Sequence, residues 1–259
     1  MYNDLFSIGP ITVHGYGLMI AIGIVMALVL AIVRSKSHRM SRDHAINILI
    51  ICLIFGFLGA KLLYCIVEWE MFVQNPLSAL SGGGFVVYGG IITGMISTII
   101  YCHIKKISFL KYFDLMIPCV SIAQGFGRVG CFLAGCCYGA PTDGPLAVIF
   151  PEGSSAPAGV PLIPTQLISS AGMFLITLVL ILYAKRDRRA GRVGALYMIL
   201  YSAGRFVIEF FRSDYRGEVG IFSTSQFISL FIAAIGIYLW LRPIPWLDRE
   251  APEVQEQQS

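Results

Sequence analysis

Seven long apolar runs separated by short polar segments make up most of this chain. Each run is long enough to cross a hydrocarbon core of about 30 Å as a helix that rises about 1.5 Å per residue. The pattern therefore predicts an all-α integral membrane protein with about seven transmembrane helices. The fourth run contains four glycines, so we expect that helix to be kinked or broken. The predicted spans are residues 16–33, 45–66, 85–104, 112–137, 165–184, 193–211 and 221–241.

The composition excludes a water-soluble globular protein. Of the 259 residues, 56% are hydrophobic and 13% are charged, whereas soluble domains carry about 25% charged residues. We predict a single transmembrane domain over residues 1–247 and a short disordered cytoplasmic tail over residues 248–259. No basic segment precedes the first apolar run, so we do not expect it to be a cleaved signal peptide.

The basic residues predict how the chain is oriented. Fourteen of the 19 lysines and arginines follow the first, third, fifth and seventh runs, and the loops after the second and fourth runs contain none. Positively charged loops remain on the cytoplasmic side of a membrane. We therefore expect the N-terminus outside and the C-terminus in the cytoplasm, in a multi-pass protein of the bacterial cytoplasmic (inner) membrane.

Several charged residues lie inside or at the end of the apolar runs. Lys61, Arg128 and Arg205 lie within runs, and Arg205, Glu209 and Arg212 have the spacing of one helix face. A cation in hydrocarbon costs about 2.5–3.5 kcal/mol, so each must face a partner or a polar cavity. Glu209 could pair with Arg205 or Arg212 in a purely structural role. Four cations against one carboxylate nevertheless favour an anionic ligand, such as a lipid phosphate, in the outer half of the bilayer.

A second candidate region is rich in glycine and cysteine. Residues 125–139 contain five glycines, which permit either close helix packing or exposure of amide N–H groups to an oxyanion. Cys131, Cys136 and Cys137 cluster at its outer end, where either a disulfide or a functional thiol is open. His14 is the only histidine predicted to lie outside, so we expect no metal site.

The chain resembles the prolipoprotein diacylglyceryl transferase family over nearly its whole length. The most specific blocks are Gly-Phe-Gly-Arg-Val-Gly at residues 125–130 and Arg-Phe-Val-Ile-Glu-Phe-Phe-Arg at residues 205–212. Either block alone would be a weak signal, but together in one chain of seven runs they are specific. The remaining matching blocks are residues 6–10, 14–19, 83–90 and 164–167.

The resemblance implies an enzyme of lipoprotein biosynthesis. This family transfers the diacylglyceryl group of phosphatidylglycerol to the thiol of a lipobox cysteine in an exported preprotein, and glycerol 1-phosphate leaves. The expected partners are phosphatidylglycerol, lipobox-bearing preproteins and membrane lipid, with no cofactor and no nucleic acid. Two alternatives remain: a divergent paralogue that uses the same donor with another acceptor, and a non-enzymatic lipid-binding or transport protein.

The resemblance and the buried charges together suggest the site residues. Tyr16, Gly139 and the charged residues Arg128, Arg205, Glu209 and Arg212 match functional or motif positions of the family. The catalytic candidates are Tyr88, Arg128, Arg205, Tyr16 and His14. The substrate-binding candidates are Arg128, Arg205, Glu209, Arg212, Lys61, Gly89, Gly90 and Gly139.

The chain departs from the family pattern at four positions. The family usually has histidine where this chain has Tyr88, asparagine at Cys131, an acidic residue at Cys136 and glutamate at Ser169. The histidine is the family's favoured candidate for the base, so Tyr88 and His14 compete for that role here. The arginines expected on the phosphate side are kept, while the groups expected near the acceptor thiol are changed.

Overall fold

Helices account for most of the described structure. The computed structural model describes residues 4–8, 11–213, 218–219, 221–244 and 247. Within these residues the helices are α1 Gly15–Ser37, α2 Arg42–Val67, α3 Trp69–Gln74, α4 Pro76–Ser81, α5 Val87–Lys105, α6 Phe109–Ala134, α7 Thr165–Tyr183, α8 Arg192–Glu209 and α9 Thr224–Leu241. The predicted disordered tail, residues 248–259, lies outside the described residues.

Three short antiparallel strand pairs accompany the helices. The strands are β1 Asp4–Ile8, β2 Ile11–His14, β3 Val148–Ile149, β4 Pro161–Leu162, β5 Glu218–Val219 and β6 Phe222–Ser223, paired in that order. Neither these strands nor the short helices α3 and α4 were predicted from the sequence, because none of them contains an apolar run long enough to mark it.

The protein is an all-α integral membrane protein. In the described part of the chain, six helices are long and apolar enough to cross a bilayer: α1, α2, α5, α6, α7 and α9. Helix α8 occupies the sixth predicted span, but its 18 residues include three charged ones, Arg192, Arg205 and Glu209. Whether α8 also crosses, and which way the chain is oriented, remain predictions.

For the fourth span a break or a kink was expected; the break is wrong, and the kink stays a prediction. Helix α6 is continuous through Pro118 and three glycines, and it ends where Gly135 adopts a φ of +69°. Its glycines allow close packing of neighbouring helices. A Cβ on Gly130 would lie 3.1 Å from the Tyr16 ring, and a Cβ on Gly125 would lie 2.6 Å from the Phe174 ring.

The chain groups into two compact units. Among the described residues, the large unit contains those within 1–31 and 113–244, and the small unit contains residues 32–112 and 247. The prediction of one transmembrane domain over residues 1–247 stays a prediction. Each unit is held by its own internal contacts.

In the small unit, helices α2 and α5 approach each other closely along facing glycines. A Cβ on Gly89 would collide with the carbonyl oxygen of Gly59, and a Cβ on Gly90 would lie 2.6 Å from that of Gly56. The Thr93 hydroxyl donates to the Phe55 carbonyl across the pair at 2.6 Å. Small residues and an interhelical hydrogen bond are the means by which membrane helices associate.

In the large unit, polar contacts join helix ends. Asp114 on α6 accepts hydrogen bonds from the Gly191 and Gly194 backbone N–H groups at 2.8 and 2.7 Å, so it caps the N-terminus of α8. Arg189 Nη2 donates to the Leu239 and Trp240 carbonyls at 2.7 and 3.0 Å, at the C-terminus of α9. Two residues of the predicted cytoplasmic side therefore hold α6, α8 and α9 together.

Candidate active site

A buried ion pair lies where α8 ends and α9 begins. Arg205 Nη2 lies 2.9 Å from Glu209 Oε2, in a geometry that is not that of a hydrogen bond, and the two side chains are 11% and 7% exposed. The same Nη2 donates to Ser225 Oγ at 2.7 Å. Ser223 Oγ donates to Glu209 Oε1 at 3.1 Å. The structural pairing that the sequence left open for Glu209 therefore forms with Arg205.

Arg205 keeps part of its guanidinium for another ligand. Among the described residues, both of its protein partners contact Nη2. Its Nη1 and Nε atoms remain, and a guanidinium can bind a phosphate through two such nitrogens at once. The ion pair with Glu209 thus orients Arg205 without using all of its donors.

The predicted helix face does not include Arg212. Helix α8 ends at Glu209, and Arg212 pairs instead with Gly139 in an isolated antiparallel bridge. The expectation of one row through Arg205, Glu209 and Arg212 is wrong at its last member, because the backbone leaves the helical path after Glu209. Gly139 is closely packed there, since a Cβ on it would lie 2.7 Å from the Ile163 carbonyl oxygen.

Arg128 adds a second guanidinium to this region of the large unit. It lies on α6, and no carboxylate of the described residues forms an ion pair with it. Its charge interacts with that of Arg205 and with the Tyr16 hydroxyl. The charge of Arg212 also acts on Arg205, so this region of the large unit contains three arginines and one carboxylate.

Three cysteines converge at the end of α6. The sulfur atoms of Cys131, Cys136 and Cys137 all lie within 4.8 Å of one another. Cys137 has a φ of +63°, which turns the chain sharply after Gly135. Hydrogen bonding with its two neighbouring thiols, followed by burial, raises the pKa of the Cys136 thiol well above its usual value. None of the three cysteines is in a disulfide in this structure.

The start of α7 holds the cysteine turn in place. Thr165 Oγ1 donates to the Cys137 carbonyl at 2.9 Å, and Gln166 Nε2 donates to the Cys136 carbonyl at 2.8 Å. Both α7 side chains are buried. With their carbonyls fixed against α7, the two cysteines have a defined backbone, which keeps their thiols near Cys131.

The other candidates of the large unit lie at its N-terminal end. Tyr16 is on the first turn of α1, is half-exposed and packs against Gly130. Its hydroxyl interacts electrostatically with the three cysteines and with Arg128. His14 is the last residue of β2 and is exposed.

The remaining candidates belong to the small unit. Lys61 is 9% exposed, and its Nζ donates to the Gly82 and Gly84 carbonyls at 2.7 and 3.3 Å. The same ammonium lies 4.8 Å from the centre of the Phe85 ring. Lys61 thus stabilises the loop that precedes α5. Tyr88 lies on the first turn of α5 and is 43% exposed.

Comparison with known proteins identifies the family. The sequence profile of prolipoprotein diacylglyceryl transferase matches residues 3–242. A protein from Clostridium tetani named phosphatidylglycerol–prolipoprotein diacylglyceryl transferase is 48% identical over 238 residues, which cover 91% of this chain and 95% of the relative. The chain belongs to the prolipoprotein diacylglyceryl transferase family.

Further relatives carry the same name. One from Clostridium perfringens, numbered as a second such transferase, is 46% identical over 239 residues, or 91% of this chain and 93% of the relative. One from Finegoldia magna is 33% identical over 240 residues, or 92% of this chain and 94% of the relative. The resemblance inferred from the sequence blocks is therefore confirmed at the level of the family.

Sequence reasoning missed four residues that shape the site of this family member. Ser223 and Ser225 contact the Glu209–Arg205 pair, and Thr165 and Gln166 hold the cysteine turn. Thr165 and Gln166 lie in a block that marked the family resemblance, so they could have been singled out. Ser223 opens the capping-box pattern Ser-Thr-Ser-Gln, which marks a helix start but gives no sign of a contact with Glu209.

Proposed function

We propose that this chain transfers the diacylglyceryl group of phosphatidylglycerol to a lipobox cysteine thiol of exported prolipoproteins, with release of glycerol 1-phosphate. Membership of the family and relatives that carry the name of this activity support the proposal. These relatives also make a non-enzymatic lipid-binding or transport role the weaker alternative.

The observation that carries the proposal is the pair of arginines in the large unit. Arg205 is buried and oriented by Glu209 and Ser225, while Arg128 has no carboxylate partner among the described residues. An uncompensated guanidinium in an apolar protein is costly unless an anion binds it. The phosphate of a membrane lipid is an anion of suitable size and depth.

The chemistry requires positive charge at the leaving group. The acceptor sulfur forms a bond to a glyceryl carbon of the donor, and the bond from that carbon to the phosphate oxygen breaks. The electron pair and the growing negative charge go to the phosphate of glycerol 1-phosphate. Arginine donors fixed before the reaction stabilise that charge in the transition state.

The proposed location is the bacterial cytoplasmic membrane, with the site toward the outer leaflet. The bias of lysine and arginine to one set of loops supports this orientation. Exported preproteins present their cysteine on that side, so the donor and the acceptor would meet there.

A second acceptor class is favoured by one specific feature. Tyr88, Cys131 and Cys136 stand where the family usually has histidine, asparagine and an acidic residue. All three are groups expected near the acceptor thiol. A divergent enzyme that uses the same lipid donor with another acceptor would be consistent with this change.

The test uses purified protein in vesicles that contain phosphatidylglycerol, with a lipobox peptide as acceptor. Mass spectrometry should detect a diacylglyceryl-modified peptide and none when serine replaces the peptide cysteine. Arg128→Ala and Arg205→Ala should each lower turnover by about 100-fold or more. Arg188→Ala is the matched control, because Arg188 lies over the Tyr183 ring, away from the proposed site.

Three results would contradict the proposal. Lipid turnover without peptide modification would favour the divergent acceptor. Near-normal turnover in both folded site variants would refute the anion site. No turnover of the lipid at all by the wild-type protein would refute the enzymatic assignment.

A further inference from the structure

Three cysteine side chains, one before and two after a sharp turn of the backbone, bring their sulfur atoms together. Cys131 comes from the last turn of α6, whereas Cys136 and Cys137 follow the sharp turn at Gly135. Their sulfur atoms all lie within 4.8 Å of one another. A disulfide would join two of them and leave the third, but a metal ion can bind all three.

The geometry fits a thiophilic divalent cation. Zinc binds cysteine sulfur at about 2.3 Å, which places tetrahedral sulfur ligands about 3.8 Å apart. The observed spacing needs to close by about 1 Å at most, and rotation about χ1 suffices for that. Catalytic zinc sites have three protein ligands and keep the fourth position for substrate. Three cysteine ligands need no histidine. The sequence led us to expect no metal site, because His14 is the only histidine predicted to lie outside.

The surroundings also suit such a site. Three thiolates and one Zn²⁺ carry a net charge of −1, and the Arg128 guanidinium interacts electrostatically with the Cys131 sulfur. Gln166 is buried, and its Oε1 has no hydrogen-bond partner among the described residues, while its Nε2 holds the Cys136 carbonyl. Gln166 thus fixes the backbone of the turn through its Nε2 atom, and its Oε1 atom stays available as an acceptor.

We propose that Cys131, Cys136 and Cys137 bind zinc through three thiolates, and that the fourth position receives the thiol of the acceptor cysteine. This inference rests on the proposed function for the identity of the acceptor. It explains why Cys131 and Cys136 occur at positions where the family usually has an asparagine and an acid. A zinc-bound acceptor thiol is deprotonated by the metal, so the proposed site needs no separate base.

The proposed step is balanced in protons and charge. The three protein thiols each release one proton to solvent when zinc binds. The acceptor thiol releases its proton when its sulfur joins the metal, because a coordinating thiol is deprotonated. Its sulfur then forms the bond to the glyceryl carbon, the carbon–oxygen bond to the phosphate breaks, and the thioether product is a weaker ligand that can leave.

The test is direct observation of the site with cobalt(II), which takes the same geometry as zinc and absorbs visible light. Protein purified anaerobically in detergent should bind one cobalt per chain, with thiolate-to-cobalt absorption that added zinc abolishes. Cys131→Ser, Cys136→Ser and Cys137→Ser should each lose this spectrum. Cys119→Ser, a buried cysteine of the same helix α6, should keep it.

A second measurement addresses the fourth position. A lipobox peptide should change the cobalt absorption bands, and the same peptide with serine in place of cysteine should not. Removal of metal with a chelator should lower transfer by about 100-fold or more, the scale on which general base catalysis contributes, and zinc should restore it.

The outcomes separate this inference from the proposed function. No thiolate–cobalt spectrum in the wild type, a spectrum that survives the three variants, or a native disulfide among these cysteines would overturn the site. Undiminished transfer by metal-free protein would overturn its role and leave the proposed function intact. Metal binding without any transfer would overturn the proposed function and leave the metal site intact. An unchanged cobalt spectrum with the cysteine peptide would overturn the fourth-ligand assignment.

Discussion

Glu209→Gln is the substitution that most directly tests the buried ion pair. Glutamine keeps the shape of the side chain and an acceptor for Ser223, but it removes the negative charge beside Arg205. The two side chains are 7% and 11% exposed, and the charged atoms are 2.9 Å apart. We therefore expect the substitution to leave a buried arginine without its counter-charge.

The magnitude follows from the burial of the pair. Two charges about 4 Å apart attract by about 4 kcal/mol at an effective dielectric constant of about 20. Removal of one partner of a buried pair costs about 3–5 kcal/mol. Because glutamine retains one hydrogen bond, we expect about 3 kcal/mol. For a protein of this size that corresponds to a fall of about 6–12 °C in the unfolding midpoint.

The assay uses the protein's own buried cysteines. Cys65, Cys102 and Cys119 are buried and not in disulfides, so a thiol-reactive dye reports their exposure during heating in detergent. Ser229→Ala is the control. It removes a buried neutral hydrogen bond on α9, from Ser229 Oγ to the Ser225 carbonyl, which is worth about 1 kcal/mol. It should therefore lower the midpoint by only about 2–4 °C.

A double substitution provides the refutation. If the pair is the cause, Arg205→Gln with Glu209→Gln should be destabilised by about 2 kcal/mol less than the sum of the single changes, because neither charge is left alone. Additive losses, or a midpoint in Glu209→Gln that falls no further than in Ser229→Ala, would show that the two charges do not stabilise each other.

Three further predictions concern topology, proton transfer and Lys61. Ser155→Cys should react with a membrane-impermeant maleimide in intact cells, and Ser37→Cys should react only after lysis. Both residues are exposed, and they follow predicted spans that end on opposite sides of the membrane. The reverse pattern of labelling would show that the topology is inverted. Tyr88→Phe should lower transfer without moving its pH profile, because a tyrosine with a pKa of about 10 is a poor base. His14→Ala should also leave the pH profile of transfer unchanged. A shifted limb of that profile in Tyr88→His would assign the base to Tyr88, and the loss of a limb in His14→Ala would assign it to His14. Lys61→Met should destabilise the protein by about 2 kcal/mol and speed hydrogen exchange in the loop before α5, because two charge-assisted hydrogen bonds are lost; lost lipid turnover with unchanged exchange would instead make Lys61 an anion ligand.

Most helix positions could be predicted because the bilayer sets their length and polarity. The second span was predicted at residues 45–66, and α2 runs from Arg42 to Val67. The fifth was predicted at residues 165–184, and α7 runs from Thr165 to Tyr183. Continuity of the fourth could not be predicted, since glycine lowers helix propensity and the packing that offsets this comes from distant residues such as Phe174.

The site was predictable in its charges and not in its contacts. The free-energy cost of placing a cation in an apolar span was enough to single out Arg128 and Arg205 from the sequence. Arg212 was misplaced because an apolar run does not mark the point where the helix ends. For Lys61, the backbone carbonyls that accept its hydrogen bonds belong to Gly82 and Gly84, and neither a carbonyl nor a loop conformation is visible in a pattern of side chains.

Gly139 explains why the arginine pair and the cysteine turn belong to one arrangement within the large unit. Its N–H donates to the Ile163 carbonyl at 3.0 Å, and it forms a bridge with Arg212. The segment after the cysteines, the segment before α7 and the end of α8 therefore meet at one residue that has no room for a side chain. These contacts connect the segment after the cysteine turn to the end of α8, the helix that contains Arg205. A Cβ at position 139 would lie 2.7 Å from the Ile163 carbonyl oxygen, which gives a steric reason for glycine here.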